Sequence, residues 1–468
     1  MRWKMRKYWI AAVLGLSGLA PLGLSAETLT DALISAYRNS HLLDQNQAVL
    51  RAADEDLATA VGTLLPVFSF QAAINASGSY DPSRPAFFGP PQSDISLSDT
   101  VSLVAAMTLL DFGRGKLGIA LRNELVLASQ QSLVNVEQQV LLDAVSAFVN
   151  VRLQSELVAA QQANVRLNTQ DLRAANDRFE VGEVTRTDVA LAQAQLASAN
   201  AALAAAQGNY NIARERYNAA IGHYPDRLSG LPKWPNTAKT VAAARAIALR
   251  NHPVILQSQH QTKAADIGVE LARAQMLPVV DGRASLSQTF SKGSSGAINE
   301  SLSITLNQTI YAGGQLSSAL RKAIAQSQSS HAGLLQTGVN VDEAVGRAWS
   351  NILVANVSIT AGDEQIRAAQ AAYDGVKQEA ELGSRTTLDV LDAEQNLLSA
   401  KASRLQAAAN LYVSQYQLLS AMGLLTADHL QLGIPTFDPN AYLNAVKRAP
   451  ATSGRGARLD RILKTLGK

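Results

Sequence analysis

Arg178-Phe179-Glu180-Val181-Gly182-Glu183-Val184-Thr185-Arg186-Thr187-Asp188-Val189 is answered 201 residues later by Glu379-Ala380-Glu381-Leu382-Gly383-Ser384-Arg385-Thr386-Thr387-Leu388-Asp389-Val390. Each copy sets a glycine six residues before an Asp-Val pair. The correspondence extends outward: Ala36-Tyr37-Arg38-Asn39 returns as Ala248-Leu249-Arg250-Asn251, and Leu65-Pro66 as Leu277-Pro278, each 212 residues on. A period near 200 residues makes each copy a large structural half, not a short solenoid unit. The halves are expected to span 27–230 and 231–434, with the Pro-containing stretch His223 to Thr240 between them.

Each glycine opens onto a helical tract. Val189, Ala192, Leu196, Ala199, Leu203, Ala206, Tyr210, Ala213, Tyr217 and Ala220 are spaced by threes and fours throughout, a heptad seam of left-handed supercoil. The second copy, Val390 to Ala421, keeps eight of the ten positions and loses the pattern at Arg404 and Ser414. Half of the first seam is alanine, which lets helices approach closely and builds a thin wall instead of a broad core. Upstream, Arg114 to Arg178 runs without proline, a helix of roughly 100 Å at 1.5 Å per residue. Taken alone these tracts also suit an elongated stalk, but a stalk leaves the strands unexplained.

Four segments alternate with period two. Phe68, Phe70, Ala72, Ile74, Ala76, Gly78 and Tyr80 oppose Ser69, Gln71, Asn75, Ser77 and Ser79, and Leu97, Val101, Leu103, Ala105, Met107 and Leu109 oppose Ser98, Thr100, Ser102 and Thr108. In the second half Val280, Ala284, Leu286 and Phe290 oppose Asp281, Arg283, Ser285, Ser287 and Thr289, and Leu302, Ile304, Leu306 and Ile310 alternate with Ser303, Thr305, Asn307 and Thr309. These predict hairpins over 67–110 and 279–310, with Pro-rich (Asp81 to Ser96) and Gly/Ser-rich (Ser291 to Glu300) loops. A half-wet soluble sheet alternates in the same way. Strands of about 9–13 residues behind a secretory leader favour a membrane barrel. Four strands close no barrel and lipid tolerates no open edge, so other copies of the chain must supply the remaining strands.

The leader is Arg2, Lys4, Arg6 and Lys7 followed by an apolar run from Tyr8 to Leu24, read as a signal peptide over 1–26; the competing reading is an uncleaved anchor. Without those four cations the chain holds 37 basic against 38 acidic residues, so no nucleic-acid partner is implied. The basic excess sits in the last stretch, where 435–468 reads as a mobile tail. There is no cysteine, hence no disulfide, thiolate metal site or lipidated N-terminal cysteine.

Chemical alternatives are weak. Asp111-Phe112-Gly113 matches a kinase metal-binding triplet but lacks its companion loops and reads as a turn. His41, His223, His252, His260, His331 and His429 are scattered and have no zinc-ligand spacing. Neither a cofactor nor catalysis is expected. Arg283 reads as a solvated lumen residue.

The two tip segments, with Ala192-Gln193-Ala194 after the first and Leu391-Asp392-Ala393 after the second, resemble the repeat signature of TolC-type outer-membrane channel proteins, over nearly the whole chain from Leu29 to about Leu432. The resemblance implies an α+β membrane protein: a homotrimer whose four strands per chain make a 12-stranded barrel in the outer membrane of a Gram-negative bacterium, above a coiled-coil α-helical tunnel in the periplasm. It implies an exit duct for type I protein secretion, small-molecule efflux or both, joined through a periplasmic adaptor to an ABC or RND-type inner-membrane pump. A trimeric scaffold or adhesin without transport is the competing reading. Threefold symmetry would turn Asp389 and Asp392 into acidic rings at the periplasmic aperture, although carboxylates also suit any helix N-terminus. The family pattern further implies that Arg385 reaches toward Asp188 in a closed-state latch, and that the turns at Gly182 and Gly383 dock the adaptor. An aromatic expected three residues before Gly383 is here Ala380, whereas Phe179 keeps its first-half equivalent.

Overall fold

A computed structural model describes residues 26–80, 93–291, 296–446 and 461. The signal-peptide reading therefore falls outside the described residues apart from Ala26, as does nearly all of the chain beyond Val446 and most of the Pro-rich loop. The repeat appears as one order of elements used twice. α1 (Leu29–Asn39), α2 (His41–Gly62), β1 (Val67–Tyr80), β2 (Ser93–Leu110), α3 (Arg114–Glu180) and α4 (Arg186–Ile221) are followed by α5 (Val241–Asn251), α6 (Pro253–Ala274), β3 (Val279–Ser291), β4 (Ala297–Asn307), α7 (Gln315–Glu381) and α8 (Thr387–Ala421). α3 and α7 have the same length, 67 residues.

The strands form one antiparallel sheet in the order β1-β2-β3-β4. β2 and β3 join the two halves, with Leu103 opposite Leu286 and Ala105 opposite Ala284. Because directly paired residues share a face, the register gathers Phe68, Phe70, Ile74, Leu97, Leu103, Leu286, Leu302 and Ile304 on one side. Their side chains are bare: Ile74 is 75 % and Leu302 82 % exposed, as expected of a face turned to lipid. The other side is hydroxyl-lined, with Ser77 bonded to Ser96 at 2.7 Å, Thr100 to Thr289 at 3.2 Å and Ser285 to Ser301 at 2.7 Å. Arg283 lies on this polar side, opposite Ser303.

The second hairpin departs from its expected bounds. β4 begins at Ala297, not beyond Glu300, and ends at Asn307, not Ile310. Its ladder stops where Asn307 meets Val279, because the preceding Pro278 has no N–H to extend the pairing, and Ile310 is left 95 % exposed.

The ten seam positions of α4 are all buried or half-buried. α8 shows the same seam without a break, since Ser414 is buried and Arg404 lies half-buried, its Nε 3.0 Å from Asp363 on α7. The expected loss of pattern is thus a loss of apolar character only. Gly362 makes room: a Cβ there would stand 3.2 Å from that of Arg404. α4 is, by length and composition, apolar enough to cross a membrane, with a mean hydropathy of 1.2 over its best window. Its apolar content is largely alanine, and it runs back along α3 from the tip.

The largest core lies where α4 and α8 end. Val140 to Leu153 of α3 pack there against α1, α5, α7, Tyr217 and Leu418. A smaller cluster of Leu50, Leu57 and Val126 is covered by Leu443 of a further helix, α9 (Pro439–Val446). The stretch read as a mobile tail therefore starts with an ordered helix. Tyr442 donates to Glu55 at 2.7 Å, and burial of Leu443 and Val446 fixes α9 against α2.

Candidate functional site at the helical tip

The hairpins α3–α4 and α7–α8 turn in the same way. Gly182 and Gly383 both have φ of 78°, in the left-handed region that a side chain strains. Glu183 N–H donates to Arg178 carbonyl at 2.9 Å and Gly182 N–H to Phe179 at 3.0 Å; Ser384 donates to Glu379 at 2.9 Å and Gly383 to Ala380 at 3.1 Å. These paired bonds are the Schellman termination of a helix. Each following helix opens with a capping box. Thr185 Oγ1 donates to Asp188 Oδ2 at 2.7 Å and Thr386 Oγ1 to Asp389 Oδ2 at 2.8 Å, while the two aspartate N–H groups bond back to the threonines at 3.3 and 3.2 Å.

Asp188 and Asp389 are thus held by their own turns. Hydrogen bonds from the Thr185 side chain and backbone keep the Asp188 carboxyl below its ordinary range, and those from Thr386 backbone and side chain do the same for Asp389. Asp392, one turn further along α8, is exposed. Arg385 pairs in this chain with Glu379, Nε to Oε2 at 2.8 Å, across its own turn. Ala380, in place of the aromatic, borders a cleft of about 290 Å³ shared with Asp171, Arg178, Lys377 and Leu391.

Two features have no signature in the sequence. Val181 and Leu382, matching residues at the two turn apices, are 71 % and 86 % exposed, an apolar point on each hairpin. Behind the apices, Glu394 of α8 is buried against α3, where Asn168 Nδ2 donates to its Oε1 at 3.1 Å. Burial and the neighbouring Asp171 push the Glu394 carboxyl up to about 7. Glu394 stands two residues after Asp392 in the seam region, but no local signal separates it from a solvated glutamate.

The architecture finds counterparts among known proteins. The family model described as outer membrane efflux protein matches residues 33–223 and 245–424, one block in each half. The outer membrane efflux protein BepC of Brucella suis is 34 % identical over 449 residues, covering 95 % of this chain and 96 % of its own. The outer membrane protein TolC of Escherichia coli K12 is 24 % identical over 482 residues, covering 95 % and 93 %. The Campylobacter jejuni outer membrane channel CmeC superposes with a TM-score of 0.76 at 15 % identity, over 90 % of this chain and 89 % of that one, a likeness of fold. This chain, with its sheet in the Gram-negative outer membrane, belongs to the outer membrane efflux protein family.

Proposed function

We propose that three copies of this chain close a 12-stranded barrel over a helical tunnel, a passive exit duct that a periplasmic adaptor couples to an inner-membrane ABC or RND-type pump. The observation that carries this reading is the sheet: among the described residues the outer edges of β1 and β4 pair with nothing, beneath a bare apolar face. Lipid tolerates no such edge, and joining β4 of one copy to β1 of the next removes every one of them. At the other end Val181 and Leu382 offer six apolar points per trimer, beside the turns at Gly182 and Gly383, for the adaptor to dock. Asp389 and Asp392 stand on the first turns of α8, where symmetry makes them rings around the aperture. In the closed state Arg385 would exchange Glu379 for Asp188 of α4, its latch partner.

Planar-bilayer recording tests the duct. Purified trimer should give discrete conductance steps. A well-folded trimer that gives none at any voltage would instead be the scaffold or adhesin.

A further inference from the structure

We propose that Glu394 of α8 and Asp171 of α3 form a proton-binding pair between the two helical hairpins, so that acid holds the hairpins together behind the tip and loss of the proton loosens them. The proposal rests on the duct reading only for its conductance test.

The geometry is a polar knot in an otherwise alanine-rich seam. Glu394 is 5 % exposed and Asn168 1 %. Asn168 Nδ2 is shared among Glu394 Oε1 at 3.1 Å, Asn164 Oδ1 at 3.0 Å and Asn164 carbonyl at 3.0 Å. Its donors are therefore spent, and Glu394 Oε2 and Asp171 Oδ2 are buried without one. Asp171 and Glu394 nonetheless act directly on each other, two buried carboxyl oxygens without a donor on facing helices. Two ionised carboxylates in that position repel, whereas one proton taken from bulk solvent turns the repulsion into a hydrogen bond across the α3–α8 boundary.

The surrounding charges do not remove the need for that proton. α7 presents Lys377 and Tyr373, with Asp374 acting on the tyrosine. Lys377 is exposed, its Nζ 6.0 Å from the Tyr373 ring centroid, and its pull on both carboxyls is weaker than the opposing burial. α3 adds neutral Asn164 and Asn168, and Arg178 of α3 with Glu381 of α7 lines the cleft that Asp171 borders, one charge of each sign, while α4 has no charged residue from Val189 to Ala213. Burial thus raises both carboxyls, Glu394 to about 7.

A carboxyl raised in the packed state binds its proton more tightly there than when the seam opens to water, so packing is favoured in acid and weakens as pH rises through about 7. If opening returns Glu394 to the ordinary value of 4.5, the open population should grow roughly tenfold per protomer between about pH 6 and about pH 8. In a duct, such a pair would hold the hairpins shut in acid.

Single-channel recording of the full-length trimer across that range, for wild type, Glu394→Gln and Asp171→Asn, is the test. The expected result is open probability rising with pH in wild type, flat in Glu394→Gln and rising less steeply in Asp171→Asn, where burial alone still raises Glu394, at equal trimer yield. A flat wild-type profile, or a slope retained in full in Glu394→Gln, overturns the proposal. A response to Mg²⁺ or EDTA at fixed pH in place of a response to pH would put a cation between the carboxylates, and also overturns it. A second readout does not depend on conduction. Since the chain has no cysteine, spin labels at Arg173→Cys and Gln395→Cys, both exposed, report the α3–α8 distance. That distance should lengthen from acid to alkali and stay fixed when Glu394→Gln is added. A trimer silent in bilayers whose label distance still follows pH would refute the duct and leave the proton pair standing.

Discussion

The two tip turns, Val181–Thr185 and Leu382–Thr386, are nearly superimposable in backbone yet differ in charge. Glycine φ is 78° in both, and the Schellman and capping-box distances agree within 0.1 Å. At the matching positions around them, Arg178 faces Glu379, Val184 faces Arg385, and Leu191 faces Asp392. The residues that shape a helix hairpin are therefore shared by both halves, whereas the second half alone carries the turn's ion pair and an acid at the position of Leu191. The two copies thus differ at positions that forming the hairpin leaves free, so the charge of the second tip is not required by its fold.

The comparison breaks most visibly if the turns are not structurally equal. A Cβ at Gly182 or Gly383 would meet nothing within 4 Å, so alanine there should cost only the left-handed conformation, ~1–2 kcal/mol per copy. Gly182→Ala and Gly383→Ala should therefore lower the trimer's unfolding midpoint in denaturant by the same amount. A loss confined to one turn would show that the other is stabilised by neighbouring copies.

How much of this was legible depends on the range of each interaction. Seam and capping boxes are local: ten positions spaced by threes and fours, or a Thr with Asp three residues on, state their own structure. The strands were equally plain, but the pairing of β2 with β3 joins residues such as Thr100 and Thr289, 189 apart, and nothing local records it. The end of β4 depended on Pro278, just before β3 and far from β4 in sequence. α9 was hidden by the basic composition of the residues after it, although Leu443 and Val446 carry its docking face. Among site residues the turn glycines and cap aspartates were readable from spacing. Glu394 was not, since its burial depends on Asn168, 226 residues away.

A smaller effect, on gating instead of stability, separates two roles for Arg385. If its pairing with Glu379 only staples the turn, Arg385→Ser and Glu379→Gln should both leave conductance unchanged. If Arg385 latches Asp188, Arg385→Ser should raise conductance and sensitise cells to large antibiotics at unchanged trimer yield. Glu379→Gln should then act oppositely, because it frees the guanidinium for the latch. The opposite signs are the signature of competition for one arginine; equal signs would remove Asp188 from the gate.

The smallest structural perturbation isolates the acid that has no counterpart. Asp389→Asn confounds two roles, since that carboxylate also accepts from Thr386. Asp392 has no part in the cap, is exposed, and corresponds to Leu191 in the first half, so α-helical geometry there tolerates an uncharged side chain. Asp392→Asn should leave the unfolding midpoint unchanged. If Asp392 rings the aperture of a trimer as proposed, three fewer charges there should still weaken cation selectivity and block by trivalent cations, because crowded carboxylates are relieved by a counter-ion. Asp188→Asn, a change of cap in the hairpin without a second acid, supplies the control: it should cost stability and leave selectivity alone. Selectivity lost equally in both variants would mean that the two tips contribute alike to the aperture, and that the charge difference between them serves something other than ions.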